Sequence, residues 1–90
     1  MKTIHKYTLA VVDFQTLRLP RGAELLTAQA QGDHPQLWAR VDLDEAELEA
    51  VELRTVGTGR PFPDSDDWGY VGTYQLQDGA LVFHLFRRAR

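Results

Sequence analysis

The stretch Tyr70-Val71-Gly72-Thr73-Tyr74-Gln75-Leu76-Gln77-Asp78-Gly79-Ala80-Leu81-Val82-Phe83-His84-Leu85-Phe86-Arg87 reads as two strands, 70–77 and 80–87, on either side of Asp78-Gly79. Asp-Gly is a strong hairpin signal, because a type I′ turn needs positive φ at both central residues. In the second arm Leu81, Phe83 and Leu85 point one way, and Val82, His84 and Phe86 the other. Both faces are mainly apolar, and a strand of that kind is covered on both sides. A chain of 90 residues has little material for two covering layers. The second cover is therefore expected from the loop at 61–69 or from another subunit.

Working outward, Leu37-Trp38-Ala39-Arg40-Val41-Asp42-Leu43 is the next clear strand. Leu37, Ala39, Val41 and Leu43 share one face and Trp38, Arg40 and Asp42 the other. A tryptophan on a polar face is lidded, part of a ligand platform or at an interface. The expectation is a homo-oligomer, a dimer favoured, in contact through Trp38 or Val82/Phe86.

Toward the N-terminus, Tyr7, Leu9 and Val11 alternate with Lys6, Thr8 and Ala10 as in a half-buried strand. Val12-Asp13-Phe14-Gln15 breaks the pattern, Thr16-Leu17-Arg18-Leu19 resumes it, and Pro20-Arg21-Gly22 stops it. Leu26, Ala28 and Ala30 then alternate with Leu25, Thr27, Gln29 and Gln31 up to a turn at Gly32-Asp33-His34-Pro35. Residues 44–53 admit two readings. Leu43, Ala46, Ala50 and Leu53 lie on one helical face, and Asp44 and Glu47 approximate an acidic cap. The β-branched residues at 51–56 and the Gly57-Thr58-Gly59 stop favour a loop followed by a strand, which is the reading taken. Pro61-Phe62-Pro63-Asp64-Ser65-Asp66-Asp67-Trp68-Gly69 is a loop whose aromatic ends are expected to pack on the sheet. Six or seven short strands, with at most one short helical turn, make a mainly β fold: one domain over residues 1–90, an antiparallel sheet curling into a small sandwich or partial barrel.

Composition limits function. The formal charge is −3, 43% of residues are hydrophobic and 26% charged, which argues against general nucleic-acid or anionic-membrane binding. No cysteine is present, so there is neither a disulfide framework nor a thiolate zinc site, as suits a cytoplasmic protein. The apolar run Leu9-Ala10-Val11-Val12 is too short for a signal peptide or a membrane span. The basic end Arg87-Arg88-Ala89-Arg90 reads as a solvated terminus.

Candidate chemistry concentrates in Gly57-Thr58-Gly59-Arg60-Pro61, where glycine-freed amides could cradle an anion and Arg60 could pair with phosphate. No helix is expected after it, so it is neither a P-loop nor a dinucleotide fingerprint. Trp38, Trp68 and Tyr70 are candidate stacking partners for a ligand there, with Arg40 or Lys6 to neutralise charge. His5, His34 and His84 lack metal-ligand spacing, and His84 reads as a hydrogen-bonded sheet residue. Asp64-Ser65-Asp66-Asp67-Trp68-Gly69 departs from a calcium loop at the fifth ligand and at Gln75, so its acids read as turn caps. Ser65 is the only serine and stands among carboxylates that oppose an oxyanion. No enzyme, metal or cofactor is expected.

The ordered set Lys6-Tyr7-x-Leu9, Pro20-x-Gly22-Ala23, Leu37-Trp38-Ala39, Gly57-Thr58-Gly59-x-Pro61, Tyr70-x-Gly72-Thr73 and Gly79-x-Leu81-Val82-Phe83-His84 resembles a family of small uncharacterised proteins of bacteriophages and of bacterial genomes. The resemblance spans nearly the whole chain and implies a phage or prophage setting within a bacterial host, but no catalytic or binding residue. The expected function is a non-enzymatic binding protein, a counter-defence factor capturing a small phosphorylated, nucleotide-like ligand. The alternatives are a module that inhibits or scaffolds a host or phage protein, and a minor virion component.

Overall fold

Alternating apolar and polar side chains produce seven strands: β1 (Lys2–Thr8), β2 (Phe14–Pro20), β3 (Glu24–Gln31), β4 (His34–Asp42), β5 (Leu48–Gly57), β6 (Trp68–Leu76) and β7 (Leu81–Arg88). The structure, a computed structural model, describes residues 1–89, so Arg90 lies outside it. No helix occurs among the described residues. The strands form two antiparallel sheets, ordered β1-β4-β3 and β2-β5-β7-β6. This is the expected mainly β sandwich, and its sheets do not close into a barrel. Leu37, Ala39 and Val41 of β4 face Leu19, Val51, Leu53, Tyr74 and Leu85 of the other sheet across a buried core.

The sheets meet most closely where β6 passes β3. A Cβ on Gly72 would lie 2.5 Å from the Ala28 backbone nitrogen and 2.9 Å from its oxygen. Only glycine permits that approach. The register of β6 against β7 shifts between Tyr70 and Gly72, which turns the strand into this contact.

Several details differ from the sequence reading. The β3–β4 register shifts between Leu25 and Thr27. Leu25 and Ala28 both turn toward the core while Leu26 is exposed, because the extra residue reverses the period-two parity. Leu43 and Val11 lie past the strand ends and are exposed, with nothing opposite them to hold them inward. β2 begins already at Phe14, whose Cα partner on β5 is Arg54. The β6–β7 turn is also wider than two residues. Leu76 pairs with Leu81, and Gln77, Asp78 and Gly79 all have positive φ (53°, 54° and 87°). The Gln77 amide donates to Asp33 Oδ1 of the β3–β4 turn at 2.7 Å, which ties the two hairpin tips together across the sandwich.

Residues 44–47 form a turn and loop rather than a helix. The Asp44 amide donates to Asp42 Oδ1 and the Glu47 amide to Glu45 Oε1, so local carboxylates take amides that a helix would need. The β2–β3 turn docks on this segment through Arg21 N to Glu47 O (2.8 Å) and Gly22 N to Glu49 Oε1 (3.0 Å).

Part of the outer face of β7 is covered by the chain itself, and Val82, His84 and Phe86 there are half-buried. Phe62, from the β5–β6 loop, packs on Phe86 with ring centroids 5.4 Å apart, and Tyr70 meets Phe86 at 5.8 Å. Of the two covers that the sequence admitted, the loop lies over Phe86. Trp38 is half-buried on the outer face of β4, level with Lys6 of β1 and Thr27 of β3.

Two consequences are measurable. Gly72→Ala is expected to destabilise by the upper end of the roughly 1–3 kcal/mol typical of overpacking, because the obstructing atoms are backbone. A melting temperature equal to that of the parent chain would contradict the close approach. Tyr74 and Thr55 carry buried hydroxyls that make no hydrogen bond of good geometry. Burial pushes the Tyr74 pKa above its ordinary value of 10, and the adjacent Thr55 hydroxyl offsets part of the rise. The folded state thus holds this proton to higher pH than the unfolded chain, and stability falls as pH climbs past the ordinary tyrosine range. Tyr74→Phe, which removes a poorly paired polar atom without emptying the site, is expected to leave stability at neutral pH within about 1 kcal/mol and to weaken the alkaline loss. Chemical denaturation at neutral and alkaline pH reads both.

Candidate functional site

Gly57 ends β5, and the chain turns sharply through Thr58 and Gly59. The Thr58 amide donates to Val82 O at 3.1 Å and the Arg60 amide to Gly57 O at 3.0 Å, so the turn is held against β7. Gly59 has φ +84°, a conformation that side chains rarely adopt, and its amide makes no hydrogen bond among the described residues. These two glycine-flanked bonds set where Arg60 leaves the sheet.

Beside the turn lies a cleft of about 480 Å³, walled by Asp13 from the β1–β2 connection, Phe14 at the start of β2, Arg54, Thr55 and Gly57 of β5, and Arg60 and Phe62 of the following loop. The Arg54 guanidinium sits 5.1 Å from the Phe14 ring centroid, 5.4 Å from Phe62 and 5.9 Å from Trp68. Phe14 is 60% exposed, which leaves much of it open to solvent. Neither Arg54 nor Arg60 forms an ion pair among the described residues, whereas Arg88 takes Glu52 at 3.4 Å and stacks on Trp68 at 5.4 Å. The cleft thus holds two cations without a carboxylate partner beside partly open aromatic rings. That combination suits a planar anion.

On the outer face of β5, β7 and β6 runs a polar row. Thr58 Oγ1 lies 2.6 Å from His84 Nε2, His84 Nδ1 lies 3.0 Å from Thr73 Oγ1, and Thr73 Oγ1 lies 2.6 Å from the Tyr70 hydroxyl. His84 is the hydrogen-bonded sheet residue that the sequence led us to expect.

Of the sequence-derived site residues, Gly57, Thr58, Gly59 and Arg60 stand together, and the polar row links Thr58 to Tyr70. Trp38 and Arg40 do not join them. They lie on the outer face of the β1-β4-β3 sheet, where Arg40 faces Glu24 at 3.6 Å, whereas the cleft belongs to the other sheet. The reason is topological: β4 is the central strand of its own sheet, so its outward side chains point away from β5 and β7. Sequence reasoning missed Phe14, Arg54 and Phe62. The available signal was an arginine on the outward face of a strand, followed eight positions later by a phenylalanine in a proline-bounded loop.

No group of three or more metal-ligating side chains occurs among the described residues. In the acidic loop, the Ser65 hydroxyl accepts from the Asp67 amide and Ser65 O from Trp68 N, which makes this segment a capped turn. No helix of the described residues is long and apolar enough to cross a membrane.

Neither a curated protein nor a solved structure matches the chain. The model of one family, described as a domain of unknown function (DUF7352), matches residues 1–90. By that match over its whole length, the chain belongs to the DUF7352 family.

Proposed function

We propose that this chain is a non-enzymatic binding protein that captures a small phosphorylated, nucleotide-like ligand in the cleft beside the 57–60 turn. The observation that carries the reading is the pair of guanidiniums, Arg54 and Arg60, on one cleft with no carboxylate bonded to either. Its volume of about 480 Å³ falls within the roughly 300–1,000 Å³ common for small-molecule sites. Arg60, exposed and at the mouth, is positioned to take phosphate through a charge-assisted fork. Phe14 and Phe62 offer apolar walls for a planar group, and Arg54 between them supplies a fixed positive field. The motif order that resembles phage and prophage proteins supports placing this capture in a counter-defence role within a bacterial host.

A second reading is a protein–protein module. It is favoured by Val11, Val12 and Phe14, which border the same region at 47%, 44% and 60% exposure. The two readings separate on which substitution matters.

Calorimetry against a panel of nucleotides and inorganic phosphate is expected to give heat for at least one nucleotide. Arg60→Ala should weaken that binding about tenfold or more, the loss of a hydrogen-bonded charge. Absence of heat for every member, or binding untouched by both Arg60→Ala and Phe14→Ala, would remove the proposal. A captured protein partner lost on Val12→Asp but kept on Arg60→Ala would favour the second reading.

A further inference from the structure

The 57–60 turn carries a second arrangement that the ligand-binding reading does not use and on which it does not depend. Thr58 is exposed, and its Oγ1 lies 2.6 Å from His84 Nε2. The other acceptor within reach of that hydroxyl, Val82 O, is 3.5 Å away. In the tautomer that activates Thr58, Nε2 accepts from its hydroxyl and Nδ1 carries the proton, an arrangement that both contacts of the ring permit. Nδ1–H then donates to Thr73 Oγ1 at 3.0 Å, and Thr73 is itself held by the Tyr70 hydroxyl at 2.6 Å. Hydroxyl, base and orienting group stand in the order that activates a nucleophile. The Gly59 amide, immediately after Thr58, makes no hydrogen bond among the described residues. An amide at that position is the donor that nucleophile elbows use to hold an oxyanion.

We propose that Thr58 is a nucleophile, activated by His84, that takes an acyl group from a small activated ester. Thr58 Oγ1 attacks the carbonyl carbon and its proton passes to His84 Nε2. The carbonyl oxygen becomes an oxyanion that the free Gly59 amide is available to hold. Collapse breaks the bond to the leaving oxygen, which departs as the alkoxide or phenolate, and the proton on Nε2 goes to it or to solvent. The product is an acyl-threonine ester, a single covalent capture without redox change or a further reactant. Thr58 acquires its base only through the pairing of β5 with β7, which sets Val56 opposite His84.

The test uses p-nitrophenyl acetate, with release of p-nitrophenolate followed by absorbance and the acetyl group located by peptide mass spectrometry. The expected result is one acetyl on Thr58, kept in Thr58→Ser and lost in Thr58→Val. His84→Gln is expected to slow labelling by about 100-fold, the scale of a general base. Thr73→Val, which frees the ring to adopt the other tautomer, should slow it and Thr73→Ser restore it; this pair decides the matter should His84→Gln not fold. Acetylation confined to Lys2, Lys6 or the Met1 amine, or labelling of Thr58 at an equal rate in His84→Gln and Thr73→Val, would overturn the proposal.

Discussion

Arg54 is the point on which the outer surface of the larger sheet is organised. Its guanidinium stands among the rings of Phe14, Phe62 and Trp68, which come from a strand start, a loop and the start of another strand. Each cation–π contact contributes only about 0.5–2 kcal/mol. Their joint effect is geometric. The two aromatic ends of the 61–69 loop converge on one cation, so the loop lies along the sheet and Phe62 reaches Phe86. The same packing leaves Arg54 without a carboxylate and opens a cleft toward Arg60. One side chain thus joins the cover of the apolar strand to the electrostatics of the candidate site.

The sandwich is asymmetric, and glycine is why. At Gly72 the backbone of β6 approaches that of Ala28 too closely for any side chain, and the two sheets nearly join along that side. β1 and β2, the other edge strands, are not bonded to each other. Lys2 and Lys6 on β1 and Pro20 at the end of β2 blunt those edges. The connection at 9–13 joins β1 to β2 on this open side and is tied to β5 by the Thr55 amide donating to Asp13 O at 2.9 Å. The cleft is therefore framed by backbone bonds as well as side chains.

The polar row from Thr58 through His84 and Thr73 to Tyr70 sits beside the aromatic cluster and shares Tyr70 with it. A histidine on an outward strand face normally keeps water on at least one nitrogen. Here both ring nitrogens have hydroxyl partners, supplied by β6, which flanks β7, and by the turn after β5. The arrangement fixes the ring without burying it, which keeps Thr58 at the surface and oriented.

The sequence by itself determined the fold class. Period-two alternation in 37–43 and 81–86, the Asp78-Gly79 signal and the stops at Pro20-Arg21-Gly22 and Gly57-Thr58-Gly59 are local properties of backbone and side chain, so they could be read without knowing what packs against them. The two-sided apolar strand at 81–86 likewise called for a cover, for which the sequence admitted the loop at 61–69 or another subunit. Whatever depended on which strands become neighbours was not legible. The bulge at Leu26 reversed an apparently clean alternation because parity is set by the partner strand, not by the run itself. Trp38 and Arg40 were drawn toward the Gly57 turn on chemical type alone, yet strand order puts them on the opposite sheet. Phe14 with Arg54 and Thr58 with His84 are separated by 40 and 26 positions in the chain, and only sheet registration brings them within reach. Local patterning chose the strands; long-range hydrogen bonding between them chose the site.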